Sequence, residues 1–306
     1  MGGDSRELSR TDRNRFSRRR FLGKCGAAAA GGALLGSPAL AGSPDGDGER
    51  PNIIFILADD LGFADISPYG AGIDTPNLQQ LADGGMSFTQ MHNTSKCFPS
   101  RACLLTGLYA QQANMHDGPG KFENSVFFGE VLRRAGYRTL FVGKHHGTDN
   151  PYNWGFHHYR GLRDGAANYF NPGEKRPFDP GEPAQKDWAY PRTFCFDDEV
   201  VAPFTPAKGY YGTDTWTDWA LELLRQYEGE DRPFCLYLSY QAPHDPLHAW
   251  PEDIKKYEGR FDEGYAAIRQ ERYRRQLESG LLNEDSYPLS ADTHRNWEEL
   301  SKKERE

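Results

Sequence analysis

The sequence predicts an α/β protein built on a parallel-rich central sheet flanked by helices, and three observations carry that reading. Apolar runs of strand length begin at Asn52, Tyr137 and Pro233, and each ends in a polar cluster: Asp59-Asp60, Lys144-His145-His146 and His244. Unbroken apolar runs of this length read as strands buried on both faces, as in parallel sheets. Helix-like stretches at residues 77–82, 128–135 and 215–227 fall between them, the alternation expected of crossover connections. The chain has 306 residues, and the part from Pro51 onward is long enough for one substantial domain core.

Taken in order, residues 1–41 read as an address. Ser17-Arg18-Arg19-Arg20-Phe21-Leu22 precedes a small-residue apolar run at 26–35, and Ala39-Leu40-Ala41 has the form of a cleavage site. This is the pattern of a bacterial twin-arginine export signal, which implies a periplasmic or extracellular product. The apolar run is too short for a spanning helix, so no membrane span is expected in the mature chain. Bulky Lys24 before Cys25 argues against a lipid anchor there. Residues 42–50 form a polar linker, and 51–306 the domain that follows.

The charge balance excludes one class of partner. Residues 1–41 hold eight Lys/Arg against three Asp/Glu, so a chain of net charge −8 carries −13 beyond Ala41. Such an acidic body disfavours nucleic acid, and any anionic ligand must be recognised by local cations.

Two neighbouring aspartates at the carboxyl end of the first strand repel unless a cation or solvent offsets them. Ligands of open α/β sheets collect outside such strand ends, and paired carboxylates suit a hard cation. By itself the dipeptide fits a solvated turn equally well. Cys97-Phe98-Pro99-Ser100-Arg101, followed by Ala102-Cys103-Leu104-Leu105-Thr106-Gly107, places a thiol where a helix starts near Ser100. The second strand follows a helix closed by Gly136 and ends in Gly143-Lys144-His145-His146-Gly147. The third ends in Ala242-Pro243-His244. Cys103, Cys195 and Cys235 have no metal-ligand spacing and read as buried thiols. Residues 157–206 are rich in Gly, Pro and aromatics with little periodicity, a long irregular region of the kind that tends to carry function.

Cys97-x-Pro-Ser-Arg, with Leu-Thr-Gly behind it, resembles the modification motif of the type I sulfatases, and the three strand ends are similar to that family's in the same order. The resemblance covers residues 51–306 and implies the alkaline phosphatase-like fold. It implies a formylglycine made from Cys97 by a separate formylglycine-generating enzyme, and calcium held by Asp59, Asp60 and the modified Cys97. Arg101 would hold residue 97 in place, Lys144 would bind sulfate and His146 would contact the formylglycine hydroxyl. His244 would bind sulfate and protonate the leaving alcohol. His145 stands where the family commonly has Trp, which predicts a more polar pocket wall.

The implied activity is hydrolysis of sulfate esters of carbohydrates or aryl alcohols, the substrate being a sulfated small molecule or polysaccharide. The family pattern continues beyond Glu306 with an Asp-Asn pair and a further Lys, so an N-terminal portion incomplete at its C-terminus is expected, either a truncated gene product or one half of a split protein that a separate C-terminal half would complete. A charged, helix-like tail is expected at 292–306. Two alternatives stay open: a non-catalytic remnant with an anion-binding pocket, and a phosphomonoester or phosphonate hydrolase of the same superfamily.

Overall fold

The computed structural model describes residues 50–173, 186–188 and 190–305, so residues 1–41, read above as an export signal, and most of the segment read as a linker lie outside the described residues. Residues 50–306 form one compact unit. Its sheet has six strands: β1 (Ile53–Asp59), β2 (Arg138–Gly143), β3 (His158–Leu162), β4 (Phe194–Phe196), β5 (Glu199–Val201) and β6 (Phe234–Pro243). Their order across the sheet is β1-β6-β2-β3-β4-β5. The first four in that order run parallel, and β4 and β5 add antiparallel. A parallel-rich sheet is therefore what forms. The strands in 157–206 depart from the irregular region expected there, because β3 through β5 are too short to show a period.

The two faces of the sheet are sorted by the period-two alternation of strand side chains. Phe141, Tyr159 and Tyr237 point to one face and pack with Phe98, Phe127 and Phe156. Leu140, Val142, Leu236 and Leu238 point to the other and meet Trp216, Ala220 and Leu223. The latter three sit at helical spacing on one stripe of a 15-residue helix, Gly212–Gln226.

Numbered along the chain, the helices are α1 (Pro76–Gly84), α2 (Cys97–Thr106), α3 (Phe128–Arg134), α4 (Gly212–Gln226), α5 (Pro251–Lys255), α6 (Gly264–Glu278) and α7 (Lys302–Arg305). Helix α2 ends at Gly107, whose φ of 70° is the left-handed stop that glycine permits. The tail is not the helix expected: among the described residues, 292–305 hold only a short 3-10 turn, Trp297–Glu299, and the four-residue α7. Its charges fit a helix, but only Leu300 in it is buried, and short helices without a packed face are marginal.

Strand β1 also departs from expectation. It pairs with β6 alone among the described strands, and Ile54 and Ile56 are 52% and 58% exposed. An apolar run shows that a strand wants cover; it does not say on which side the cover comes. Among the described residues no helix is long and apolar enough to cross a membrane.

The strand ends are brought together by one close approach. Gly143, at the end of β2, has φ of 106°, and a Cβ there would lie 2.1 Å from the Ser239 carbonyl oxygen. Only glycine lets β2 and β6 touch at this point. The next residue, Lys144, then donates its N–H to that same Ser239 oxygen at 2.7 Å.

Candidate active site

The structure gathers the sequence-predicted residues around the carboxyl ends of β1, β2 and β6. Asp59 closes β1 and is buried; Lys144 follows β2 and is fully buried; its Nζ is ion-paired with Asp59 Oδ2. Burial is the main influence on the Lys144 ammonium and pushes its pKa down, with Arg101 adding repulsion and Asp59 opposing both. A buried ammonium so placed persists only because a carboxylate meets it.

Arg101 is the hub beneath them. From α2 its Nη1 donates to the Lys144 carbonyl at 2.9 Å and to Ser239 Oγ, and its Nη2 donates to the Tyr240 carbonyl at 3.3 Å. Nη2 also lies 3.5 Å from Asp59 Oδ2. The planar fork thus ties α2, β1, β2 and β6 into one assembly, a geometry that Lys cannot reproduce. Cys97 occupies the first turn of α2, half-buried, where unpaired backbone N–H groups favour negative charge.

His146 sits at the turn after β2 with φ of 64°. Burial, then the charges of Lys144 and Arg101, push its imidazole down to about 2, so the ring is neutral at working pH. Its Nδ1 is buried without a hydrogen-bond partner. His244, just beyond β6, is different: its Nδ1 stands 2.6 Å from the Asp245 carbonyl, and its Nε2 stands 3.7 Å from Asp60 Oδ2. Donation from Nδ1 leaves Nε2 as the nitrogen free toward the pocket, an acceptor in the neutral ring and a proton donor only in the imidazolium.

His145 does not face the pocket, and the expected polar wall is corrected. Four residues beyond Phe141, its side chain keeps the alternation of β2 and enters the core on the Phe141 face, 5.7 Å from the Phe122 ring and within about a ring's width of Phe127, Phe141 and Tyr159. Neither of its nitrogens has a hydrogen-bond partner. Burial, helped by Arg101 and Arg163, holds it down to about 3.

The sign of the resulting pH effect is fixed. Below about pH 6.5 the unfolded chain takes a proton on this imidazole that the native state refuses, so stability falls as pH drops from there toward 3. At pH 5 the loss from His145 is about 2 kcal/mol. Urea midpoints measured between pH 7.5 and 5 should therefore flatten in His145→Phe; an unchanged slope would remove His145 as its source.

The segment from Arg163 to Tyr169 does what sequence reasoning did not foresee. The Arg163 carbonyl accepts from His146 N–H at 2.9 Å. A Cβ on Gly165 would fall 2.5 Å from His146 Nε2, so the bare glycine is what leaves room for the ring. Ala167 and Gln241 exchange two hydrogen bonds, 2.9 and 2.7 Å, which pins the segment to the end of β6. Tyr169 then donates its hydroxyl to the His244 carbonyl at 2.9 Å. The available signal was the Gly-rich, aperiodic composition of the region. Of the aromatics there, Tyr169 and Phe170 pack with Tyr211. Cys195 and Cys235 are buried as expected, while Cys103 is only half-buried.

Asp59 and Asp60 are hard donors of the type that calcium takes, but calcium requires about 6–8 oxygens. Among the described residues no group of three or more His, Cys, Asp or Glu is arranged to hold a metal ion, and Asp59 Oδ2 is already shared with Lys144. The donors fit in type and fall short in number.

A family model described as Sulfatase matches residues 51–294. An arylsulfatase of Klebsiella aerogenes is 31% identical over 271 residues, 83% of this chain and 56% of the relative. A solved structure holding D-glucosamine-2-N,6-O-disulfate, described as that protein's substrate, aligns with a TM-score of 0.55 at 28% identity, over 69% of this chain and 38% of the other. A second, Ps i-CgsB in complex with k-i-k-neocarrahexaose, aligns with a TM-score of 0.57 at 29% identity, over 76% and 52%. The chain spans about half the length of the curated relatives it matches.

Proposed function

The chain belongs to the sulfatase family, and on that premise we propose that it hydrolyses sulfate monoesters through a formylglycine made from Cys97. The observation that carries the proposal is Cys97 on the first turn of α2, with the Arg101, Lys144 and Asp59 assembly at the same strand ends. Once modified, residue 97 supplies a hydrated aldehyde, one hydroxyl of which attacks sulfur while the other lets the aldehyde re-form as sulfate leaves. A calcium ion at Asp59, Asp60 and residue 97 is proposed with it, as a neutraliser of anionic charge.

The chain's own side chains divide the remaining work. Lys144 offers a positive charge to a sulfate oxygen, and the N-terminal N–H groups of α2 add to it. Neutral His146 can hydrogen-bond a hydroxyl of residue 97 but is a poor proton donor, because burial keeps it unprotonated. His244 is the group left to protonate the departing alcohol, through Nε2. Arg101 acts from beneath, by fixing the strand ends, since its hydrogen bonds run to backbone carbonyls and Ser239.

The test is production of the chain beside a formylglycine-generating enzyme. Peptide mass spectrometry should show the Cys97 side chain replaced by an aldehyde, and the product should turn over 4-nitrophenyl sulfate. Cys97→Ala should lower that rate by three orders of magnitude or more, roughly what removal of a catalytic nucleophile costs. Verified formylglycine with no turnover above the Ala variant would defeat the proposal.

A further inference from the structure

The segment that positions both histidines also presents a third feature. Asn168, buried, clasps the backbone of Lys186 in both directions: its Oδ1 accepts from Lys186 N at 2.9 Å and its Nδ2 donates to Lys186 O at 3.0 Å. Lys186 Nζ is ion-paired with the carboxylate of Asp245, the residue directly after His244. The same ammonium stands 4.8 Å from the centre of the Trp188 ring, which also receives Arg192 at 4.0 Å. Lys186 and Asp245 side chains are 44% and 58% exposed.

An exposed ion pair adds little to stability. Here a buried asparagine spends both ends of its amide holding one such lysine in position. The pair also stands beside the imidazole that meets the leaving alcohol, because the Asp245 carbonyl itself faces His244 Nδ1.

Resting on the sulfatase reading above, we propose that Lys186 and Asp245, with Trp188 beside them, form a sugar subsite on the alcohol side of the reaction centre. The ligand class is a pyranose with free neighbouring hydroxyl groups next to its sulfate ester. A fixed ammonium supplies donors and a fixed carboxylate supplies acceptors, and neighbouring hydroxyls can satisfy both together. A simple aryl sulfate offers nothing to either. A few placed polar groups beside an aromatic surface are also how small-molecule sites set orientation.

The experiment uses the full chain with Cys97 kept as the unmodified thiol, verified by peptide mass, so that residue 97 keeps its side chain and ligands bind without turnover. Calorimetric affinities are compared for galactose 6-sulfate, glucose 6-sulfate, their O-methylated counterparts and inorganic sulfate. The parent should prefer at least one free-hydroxyl sugar over its methylated form by tenfold or more. Lys186→Met and Asp245→Asn should each erase that preference and leave inorganic sulfate binding within twofold. A parent that binds sulfate but shows no preference overturns the subsite alone, as does a preference that survives both variants. Variants that weaken sugar and sulfate alike overturn it too, by showing that the pair supports the sulfate site generally. A parent that binds no sulfate species at all overturns the functional reading on which the subsite rests.

Discussion

Arg101→Met should lower the unfolding free energy by about 3–5 kcal/mol, the largest stability effect expected of any single change described here. The side chain is buried, and its guanidinium holds two backbone carbonyls, Ser239 Oγ and the neighbourhood of the Asp59 carboxylate. Methionine fills similar space and takes the guanidinium donors from the Tyr240 carbonyl and Ser239 Oγ, while the Lys144 carbonyl keeps only Ser239 Oγ as a side-chain donor and Asp59 only Lys144 as its buried cation. Lysine keeps the charge but cannot make the fork, so Arg101→Lys should recover only part of the loss. Urea unfolding at neutral pH measures both. An Arg101→Met midpoint within about 1 kcal/mol of the parent would mean that the strand ends are held by something other than this guanidinium.

Gly165→Ala should cost about 100-fold in kcat, the scale of a misplacement of about 1 Å at a reacting centre. The added methyl would meet His146 Nε2 at 2.5 Å, and the ring has Phe98 against it at 5.8 Å, so it must shift from the position proposed for contact with residue 97. Glycine at 165 has no side chain to touch substrate, so its effect should run through His146 and spare KM. Combining Gly165→Ala with His146→Ala checks this: the double variant should be no slower than His146→Ala alone. Independent, additive losses, or a single-variant rate within threefold of the parent, would sink the argument.

The contrast between these two residues shows what was legible beforehand. Asp59, Lys144 and His244 could be found from sequence because each interrupts an apolar run, and polar groups at strand ends in an α/β sheet have few purposes. Arg101 was legible only through the motif that contains it, and its partners turned out to be carbonyls, which no sequence pattern announces. Gly165 works through the absence of a side chain and Asn168 through its amide on a distant backbone; neither leaves a periodic trace. His145 was misplaced because the motif around it was followed instead of the strand's alternation, which carries 145 to the same face of the sheet as Phe141. The apolar run of β1 was read as covered on both faces because hydrophobicity reports a demand for burial without naming the neighbour that meets it. The charged tail was read as helix from composition alone, with no packed face to sustain one.

One consequence of the 163–171 segment concerns measurement. Gly165 fits against one imidazole and Tyr169 holds the carbonyl of the other, with Ala167 fastened to Gln241 between them. The spacing of His146 and His244 is thereby copied from residues 165–169 of a single backbone, a ruler lying across two strand ends. Drift in the twist or tilt of the sheet would carry both rings along together. The loss or gain of one residue between Gly165 and Tyr169 would reset the gap itself, and with it the span of substrate that can lie between the two rings.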